Sequence, residues 1–361
     1  MTIVPLEILS KLYKVGFWVV YKKEHLLYNF YIKIVLRSFL SFENSRGIFM
    51  KFKLIAILLA ILFMLAACTP QKAKTKEYSQ EGRWMVLDYK GKAFVIDCDS
   101  SSIIIRGKVT SDITVRYVKK VVWTYNESGS NVKELDRKQL QKIFDDMDAS
   151  IENEVDRVYV KARAYGSAEA VLANKVSNPK REFEFEVFLP QDCKVVVQNN
   201  SGNVSISDVK NGSVYIVNGV GNIAVTNTDA PLDIKNGEGD IKLDYVSGEF
   251  SINNGKGNIN LKIEKTGSFK VSTTKGNIVA KIDRISGYGM RSFLTVGGGN
   301  IQLFTGKLLE ANIIVKTKRK IETDFKLEKR NEIYYLQGTS TSKNLIEIVN
   351  LNGTTKILKN Y

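Results

Sequence analysis

The chain has 361 residues, of which 44% are hydrophobic and 25% charged, so it contains enough apolar material for one or two folded domains. Lys and Arg outnumber Asp and Glu by 53 to 38, and a net charge of +15 is typical of proteins that bind nucleic acid or an anionic membrane. The one histidine, His25, lies in a segment that we expect the mature protein to lack, which excludes catalytic triads and metal sites that need histidine. Three cysteines are too few for a four-thiolate zinc site, so we expect no metal and no cofactor.

An export signal begins at Met50. Two lysines precede the apolar run 54–64, and the sequence Leu-Ala-Ala-Cys follows and ends at Cys68. This is the three-part pattern of a signal peptide, and it is shorter than the roughly 20 apolar residues of a membrane-spanning helix. The ending resembles the lipobox of bacterial lipoproteins, which implies that residues 50–67 are removed and that Cys68 becomes a diacylated N-terminus. We therefore predict an exported protein, lipid-anchored on the extracytoplasmic face of a membrane.

Residues 1–49 have two interpretations. Either translation starts at Met50 and they come from a mis-called start codon, or they form a basic amphipathic segment on the cytoplasmic membrane face. They carry a charge of +4 and the signal +2, which leaves +9 on the mature chain. Residues 68–77 are expected to form a lipidated tether, whose lysines each gain about 1 kcal/mol beside anionic head groups. Since the tether explains part of the basicity and an exported protein rarely meets nucleic acid, we expect no nucleic-acid partner.

Residues 78–194 are expected to form a strand-rich module with one helix. Apolar residues at helical spacing predict the helix over Leu135–Ile151, and alternating runs predict strands at Trp84–Leu87, Ala93–Cys98, Ser102–Ile105, Ile113–Val118, Val121–Tyr125, Arg157–Ala164 and Glu182–Leu189. Cys98 and Cys193 lie at strand ends. In an exported protein they are either bridged, which closes a loop of about 95 residues, or two buried free thiols.

A repeat begins at residue 195. In six copies a glycine precedes Asn or Asp and then a β-branched residue, and the nearly constant spacing, which lengthens before the last copy, is typical of repeat arrays. These structural turn residues are Gly202 and Asn203, Gly221 and Asn222, Gly239 and Asp240, Gly257 and Asn258, Gly276 and Asn277, and Gly299 and Asn300. Apolar and polar residues alternate on both sides of each turn, which predicts two strands per repeat. We predict an all-β fold in which residues 195–361 form a β-solenoid of two-strand repeats of about 18–20 residues with a C-terminal cap.

Two features of the repeat are candidate binding elements. One is a column of residues at the same position of successive repeats, which forms either a ladder of amide hydrogen bonds or a ligand-binding row: Asn199, Asn218, Asn236 and Asn254, continued by Thr273. The other is the insertion around residues 286–296, where the spacing stretches. Tyr288, Met290 and Arg291 there form either a contact loop or a solvated turn.

The chain resembles a known family. The run Glu184-Phe-Glu-Val-Phe-Leu-Pro190, then Val195-Val-Val-Gln-Asn-Asn-Ser-Gly-Asn-Val204 and the repeated Gly-Asn/Asp-Ile steps, is similar to the proposed-adhesin family of bacterial envelope β-repeat proteins, a domain of unknown function. The resemblance covers Lys90 to Leu303. It implies a cell-envelope β-repeat domain without known catalytic residues, so no active site is carried over.

Three functions are compatible with these features. The first is a lipid-anchored, non-enzymatic, adhesin-like or structural role, with an acidic glycan, a cell-wall polymer or an envelope protein bound by outward residues such as Tyr215, Lys235, Lys242, Tyr245 and Lys270. The second is an accessory component of an envelope-stress or assembly complex that docks to a membrane partner. In both cases the membrane is one partner, which the protein contacts through its lipid anchor.

The third function is a polysaccharide-acting enzyme. It would need two or three carboxylates that face one another across a groove. The acidic residues that cluster in the sequence alternate with lysines, as on an ordinary solvated face: Asp233, Asp240, Asp244 and Glu249. We therefore expect no enzymatic activity.

Overall fold

The computed structural model describes residues 74–89, 91–125, 137–164, 180–331, 333–337 and 343–360. Among these residues one helix, α1 (Arg137–Asp145), accompanies 25 strands in two long sheets. The expected upstream segment, the signal peptide and Cys68 all lie outside the described residues. The described part of the chain contains no helix that is long and apolar enough to cross a membrane.

The two sheets face each other across a common core. In spatial order, the first sheet contains β1 (Lys74–Val86), β4 (Ile113–Tyr125), β7 (Lys180–Pro190), β3 (Ser101–Lys108), β9 (Val204–Ser207), β11 (Ile223–Asp229), β13 (Ile241–Ser247), β15 (Ile259–Ile263), β17 (Ile278–Ile282), β19 (Ile301–Thr305), β25 (Thr355–Lys359) and β21 (Ile321–Thr323). The second contains β22 (Lys326–Arg330), β23 (Ile333–Gln337), β20 (Asn312–Thr317), β24 (Leu345–Asn350), β18 (Arg291–Gly298), β16 (Phe269–Lys275), β14 (Phe250–Lys256), β12 (Leu232–Glu238), β10 (Ser213–Val220), β8 (Lys194–Ser201), β2 (Ala93–Cys98), β6 (Arg157–Ala164) and β5 (Met147–Asn153).

Successive strands from β8 to β19 alternate between the two sheets, so that each repeat forms one coil. Neighbouring coils pair in parallel and in register: Ile223 lies between Val204 and Ile241. Apolar side chains at every second position point between the sheets, and Ile234 and Ile252 are buried there. Each such side chain contributes about 1.5–3 kcal/mol, but only when the next coil covers it. The predicted all-β solenoid of two-strand repeats is confirmed.

The turn residues explain the repeat sequence. All six turn glycines have a positive φ, between 117° and 143°. A Cβ on Gly239 would lie 2.1 Å from the carbonyl oxygen of Gly221 in the preceding coil, so any larger residue would push the coils apart. The residue after the glycine supplies an acceptor, since the Asp240 N–H donates to Asn222 Oδ1 over 2.8 Å. The same bond recurs between Asn258 N–H and Asp240 Oδ1 at 2.7 Å.

The amide column lies inside the solenoid and forms a ladder. The Nδ2 groups of Asn199, Asn218 and Asn236 each donate to the Oδ1 of the next member over 3.1, 3.1 and 3.2 Å. The same amides reach carbonyl oxygens of the turns; Asn236 Nδ2 lies 3.3 Å from the carbonyl of Gly239. The column is buried, so its hydrogen bonds hold adjacent coils together. Of the two interpretations, the structure shows the structural ladder.

At the N-terminal end, the coils are not stacked in the order of the sequence. Strands β2 and β3 form a coil that lies between the coil of β6 and β7 and the coil of β8 and β9. The sheets therefore run without a break through residue 195, where we expected a module to end and the solenoid to begin. The expected tether also overlaps this end, because β1 already begins at Lys74.

A similar intercalation occurs at the C-terminal end. Strands β24 and β25 stack directly on β18 and β19, and β20 and β21 lie outside them. Gly353 is a seventh turn glycine, and a Cβ there would lie 1.9 Å from the carbonyl oxygen of Gly299. Because Gly353 follows Gly299 by far more than one repeat length, a search for a fixed period does not detect it. The glycine step that fades in the sequence after Gly299 is thus interrupted by an inserted outer coil.

The helix prediction needs a correction. Helix α1 ends at Asp145, and the second half of the predicted helix forms strand β5 instead. Ile143, Phe144 and Met147 are buried in the common core, so tertiary packing favours a strand after the first two helical turns. Antiparallel strands form three of the four described sheet edges, with β1 and β4 on the first sheet and β5 on the second at one end, and β22 and β23 on the second sheet at the other. There they replace the regular coil edges that would otherwise pair with other chains, whereas the first sheet ends in the short parallel strand β21.

The disulfide that the sequence left open is absent. Cys98 and Cys193 are both free and buried. Strands β2 and β8 pair so that Ala93 lies beside Lys194 and Cys98 beside Asn199, which places the two cysteines at opposite ends of the strands. Six residues along a strand separate their Cα atoms by about 20 Å, whereas a disulfide needs less than about 7 Å. The alternative of two buried free thiols is the one observed.

The amide ladder should contribute measurably to stability. We expect Asn236→Ala to lower the free energy of unfolding by about 3 kcal/mol, because it leaves buried polar groups of Asn218 and Asn254 without their partner. Urea unfolding followed by circular dichroism measures the change. Asn260→Ala is the matched control, since Asn260 is exposed on β15, and it should change stability by less than about 0.5 kcal/mol. Equal midpoints for both variants would contradict the ladder.

The buried thiols should make stability fall at alkaline pH. Burial raises the pKa of the Cys98 thiol from 9.0 to about 12 and that of the Cys193 thiol from 9.0 to about 11. Between the unfolded and folded pKa values the unfolded chain loses these protons first, so stability is complete below about pH 9 and decreases above it. At pH 10 we expect a loss of about 1 kcal/mol per thiol.

Urea midpoints at pH 8 and pH 10 test this. The double variant Cys98→Ala, Cys193→Ala keeps every other titrating group, and its loss between the two pH values should be smaller than that of the wild type. An equal loss in both proteins would show that the thiols do not drive the pH dependence.

Candidate contact surfaces

The outer surface carries aromatic rings paired with cations. Among the described residues, eight partly or fully exposed rings have a Lys or Arg cation close enough to the ring centroid for a cation–π contact: Tyr159, Phe188, Tyr215, Tyr245, Tyr288, Phe325, Tyr334 and Tyr335. A cation over a ring is attracted by the negative face of the π system. Such a pair presents an apolar surface and a positive charge side by side.

Tyr245 has an unusual backbone. Its φ is +54°, a left-handed conformation that costs an L-residue with a bulky side chain about 1–2 kcal/mol. The equivalent corners of the two preceding coils hold Asp208 and Asn227, which adopt this conformation more easily. The Tyr245 ring is 48% exposed. A strained, half-exposed tyrosine at a position suited to Asn is a feature that packing does not explain.

Lys262 in the next coil holds the Tyr245 side chain. Its Nζ lies 4.0 Å from the ring centroid and donates a hydrogen bond to the phenol oxygen, which raises the pKa of the lysine. The predicted outward residue Lys242 lies on β13 together with Tyr245 and pairs with Asp244 over 2.5 Å. Lys242 therefore lies on the first sheet, and Tyr245 lies at the corner of this sheet.

The other predicted outward residues lie on the second sheet. Tyr215 is in register with Asp233, and this row continues through Ser251 to Lys270. Lys235 Nζ lies 5.4 Å from the Tyr215 ring centroid and 3.5 Å from its phenol oxygen. The five predicted residues are therefore distributed over two outer faces and do not form a single patch.

The predicted contact loop divides into outward and inward residues. Tyr288 is 72% exposed, with Lys343 Nζ 5.1 Å from its ring centroid, and Arg291 is exposed at the start of β18. Met290, by contrast, packs against the core, and its N–H donates to Asn344 Oδ1 over 2.9 Å. Met290 is therefore partly buried, Tyr288 and Arg291 are the exposed members of the loop, and a contact role for the three residues stays a prediction.

A cluster around Phe188 was not predicted from the sequence. Phe188 lies on the outer face of β7, which the polar residues Glu184 and Glu186 also occupy. Lys108 Nζ lies 3.7 Å from its ring centroid, and the guanidinium carbons of Arg116 and Arg106 lie at 5.6 and 5.9 Å. These cations come from β3 and β4, which are distant from β7 in the sequence. The one signal for this cluster in the sequence is that β7 has an aromatic residue where its alternating pattern predicts a polar one.

The clustered carboxylates do not converge. Asp240 lies in a turn and accepts the Asn258 N–H, Asp244 pairs with Lys242 on the first sheet, and Asp233 lies on the second sheet. The residues that the structure describes contain no group of three or more His, Cys, Asp or Glu side chains that could hold a metal ion. Glycoside hydrolysis needs two carboxyl groups that face each other, whereas Asp233 and Asp244 lie on different sheets.

Solved structures that are similar to this chain include three bacterial proteins. A proposed cell adhesion protein from Clostridium sporogenes ATCC 15579 is 11% identical with a TM-score of 0.27, covering 78% of this chain and all of the other. A proposed adhesin from Bacteroides fragilis NCTC 9343 is 10% identical with a TM-score of 0.33, covering 80% and 98%. A proposed lipid binding protein from Parabacteroides distasonis ATCC 8503 is 11% identical with a TM-score of 0.31, covering 81% and 98%. Likenesses this low carry no argument about function.

The family comparison is stronger. No curated protein matches this chain. A family model described as Toastrack DUF4097 matches residues 166–357, which is more than half of the chain and includes every turn of the repeat. The family expected from the Gly-Asn repeat is thereby confirmed, and the chain belongs to the Toastrack DUF4097 family.

Proposed function

We propose that this protein is a lipid-anchored, non-enzymatic component of the cell envelope that binds an acidic polymer, a glycan or a cell-wall polymer, through the outer faces of its solenoid. The observation that carries the proposal is Tyr245. Its left-handed backbone lowers stability, yet it presents a ring and the Lys262 cation together on the surface. Strain of this kind persists where an exposed group has a use.

The surface chemistry supports an acidic polymer as ligand. An aromatic ring offers an apolar face to the C–H groups of a sugar, and the adjacent cation pairs with a carboxylate or phosphate. Because the coils repeat every 4.8 Å or so, the ring and cation pairs on each outer face lie at different heights along the solenoid axis, and an extended ligand can contact more than one of them. The chain carries this surface on a rigid, continuously hydrogen-bonded scaffold.

The proposed anchor fits the start of the fold. Five residues separate Cys68 from Lys74, where β1 begins. This length spans at most about 20 Å, so an acylated Cys68 would hold the N-terminal end of the solenoid close to the membrane. The solenoid would then be presented from the extracytoplasmic surface.

The first experiment tests anchoring and exposure together. Cells that express the native gene are labelled with an alkyne analogue of palmitate, and intact cells are treated with protease while an epitope after Tyr361 is followed. We expect the wild type, but not Cys68→Ser, to incorporate the label, and the body to be cleaved from outside. A labelled but protected body would favour the accessory role inside the envelope, and an unlabelled wild type would contradict the anchor.

The second experiment tests binding. The detergent-solubilised full chain is mixed with purified cell walls, with walls stripped of their anionic polymers, and with a neutral glycan, and the sedimented fraction is measured. We expect retention on intact walls, reduced retention at high salt, and little retention on the stripped walls or the neutral glycan. Equal retention on all three materials would contradict recognition of an acidic polymer.

Tyr245 should link stability to binding. We expect Tyr245→Asn to raise the free energy of unfolding by about 1 kcal/mol, because Asn tolerates the left-handed backbone, and to weaken retention on cell walls. Urea unfolding and the sedimentation assay measure the two effects.

The matched control is Tyr215→Asn. Tyr215 also lies beside a lysine but has an ordinary strand backbone, so this variant should bring no gain in stability. A Tyr245→Asn protein that is less stable than the wild type would show that the tyrosine is not strained.

A further inference from the structure

We propose that the cluster of Arg106, Lys108 and Arg116 around Phe188 is a binding subsite for a phosphate group of a phosphodiester-linked envelope polymer. The inference rests on the proposed function and deepens it, since it assigns one site and one ligand chemistry.

The cluster is held by the pairing of three strands. Phe188 on β7 lies beside Arg106 on β3 and Thr114 on β4 in the register of the first sheet. The three cations approach one ring, with Lys108 directly over it at 3.7 Å. A cation against a ring has lost part of its hydration, so the cost of desolvating it for a ligand is already reduced.

The charges of the cluster do not balance. Glu186 is the carboxylate that pairs with it: its Oε1 lies 2.5 Å from Arg106 Nη1, and its Oε2 lies 3.5 Å from Arg116 Nη1. Lys108 has no ion-pair partner within the described part of the chain, and it is exposed. Three cations and one carboxylate leave an excess of two positive charges. The arginine side chains are 41% and 56% exposed, so their remaining N–H groups are accessible to a ligand.

The arrangement favours phosphate over carboxylate. A tetrahedral phosphate directs its oxygens to several sides and is matched by cations that come from different strands, whereas a planar carboxylate is best matched by one guanidinium fork. The same row of the sheet continues with the hydroxyl residues Thr114 and Ser207 on either side of Phe188 and Arg106. An excess of two charges suits consecutive phosphodiesters, each with one negative charge.

Poly(glycerol phosphate) of defined length is the probe. Its affinity for the detergent-solubilised full chain is measured over a series of salt concentrations for the wild type and three variants. We expect Lys108→Gln to weaken binding about tenfold and to reduce the slope of log affinity against log salt by about one. Phe188→Leu should weaken binding severalfold with an unchanged slope, because the charges remain while the ring that positions them is lost.

Lys138→Gln is the matched control, because Lys138 is exposed on α1 and its replacement removes the same charge elsewhere. It should bind like the wild type. Equal losses for Lys108→Gln and Lys138→Gln would overturn the site in favour of general charge attraction. A second arm uses vesicles of phosphatidylglycerol: a Lys108→Gln effect on vesicles but not on the polymer would overturn the polymer as the source of the phosphate.

The two proposals can fail separately. If the wild type sediments with cell walls but the Lys108 and Phe188 variants bind poly(glycerol phosphate) as it does, the subsite is wrong and the proposed function stands. If the wild type is not retained on cell walls either, the proposed function fails with it.

Discussion

The close approach of successive coils at their turns is the constraint on which this fold depends. At Gly239 the backbone passes so near the carbonyl of Gly221 that a Cβ would lie 2.1 Å from that oxygen. Glycine with a positive φ permits the contact, and the following Asn or Asp makes use of it by accepting a backbone N–H of the next coil. Because every coil is spaced by this contact, the inner amides align as a ladder and the apolar side chains of neighbouring coils lie in register.

The stacking order of the coils at the ends of the solenoid differs from the order in its middle. In the middle, sequence neighbours are spatial neighbours. At the N-terminal end the coil of β2 and β3 lies between two later coils, and at the C-terminal end the coil of β24 and β25 lies between two earlier ones. A terminal coil fixed in this way is held by pairing with segments distant in sequence, and antiparallel strands form three of the four sheet edges. The same rearrangement brings β3, β4 and β7 together and so creates the Phe188 cluster.

The outer faces contain residues that do not suit their positions, unlike the aliphatic core. Inside, aliphatic side chains lie between the sheets and the amides form the ladder. Outside, Tyr245 has a left-handed backbone at a corner that suits Asn, and Phe188 lies on the outer face of β7 at a position that suits a charged residue. Such local conflicts cluster where a protein contacts something else, since a surface selected only for stability would remove them. Both conflicts hold a cation against a ring.

The sequence by itself determined the repeat, its two strands per coil, the glycine turns and the amide column, because these depend on a short, nearly constant period and on local alternation. It also placed β2 and β6 correctly to the residue. Only the tertiary structure decided the order of the terminal coils, the seventh turn at Gly353, the separation of Cys98 from Cys193 and the packing of Met290 against the core. Each of these results from pairing between strands that are distant in the sequence, and the free energy of such pairing depends on register and burial, which no local pattern in the chain records.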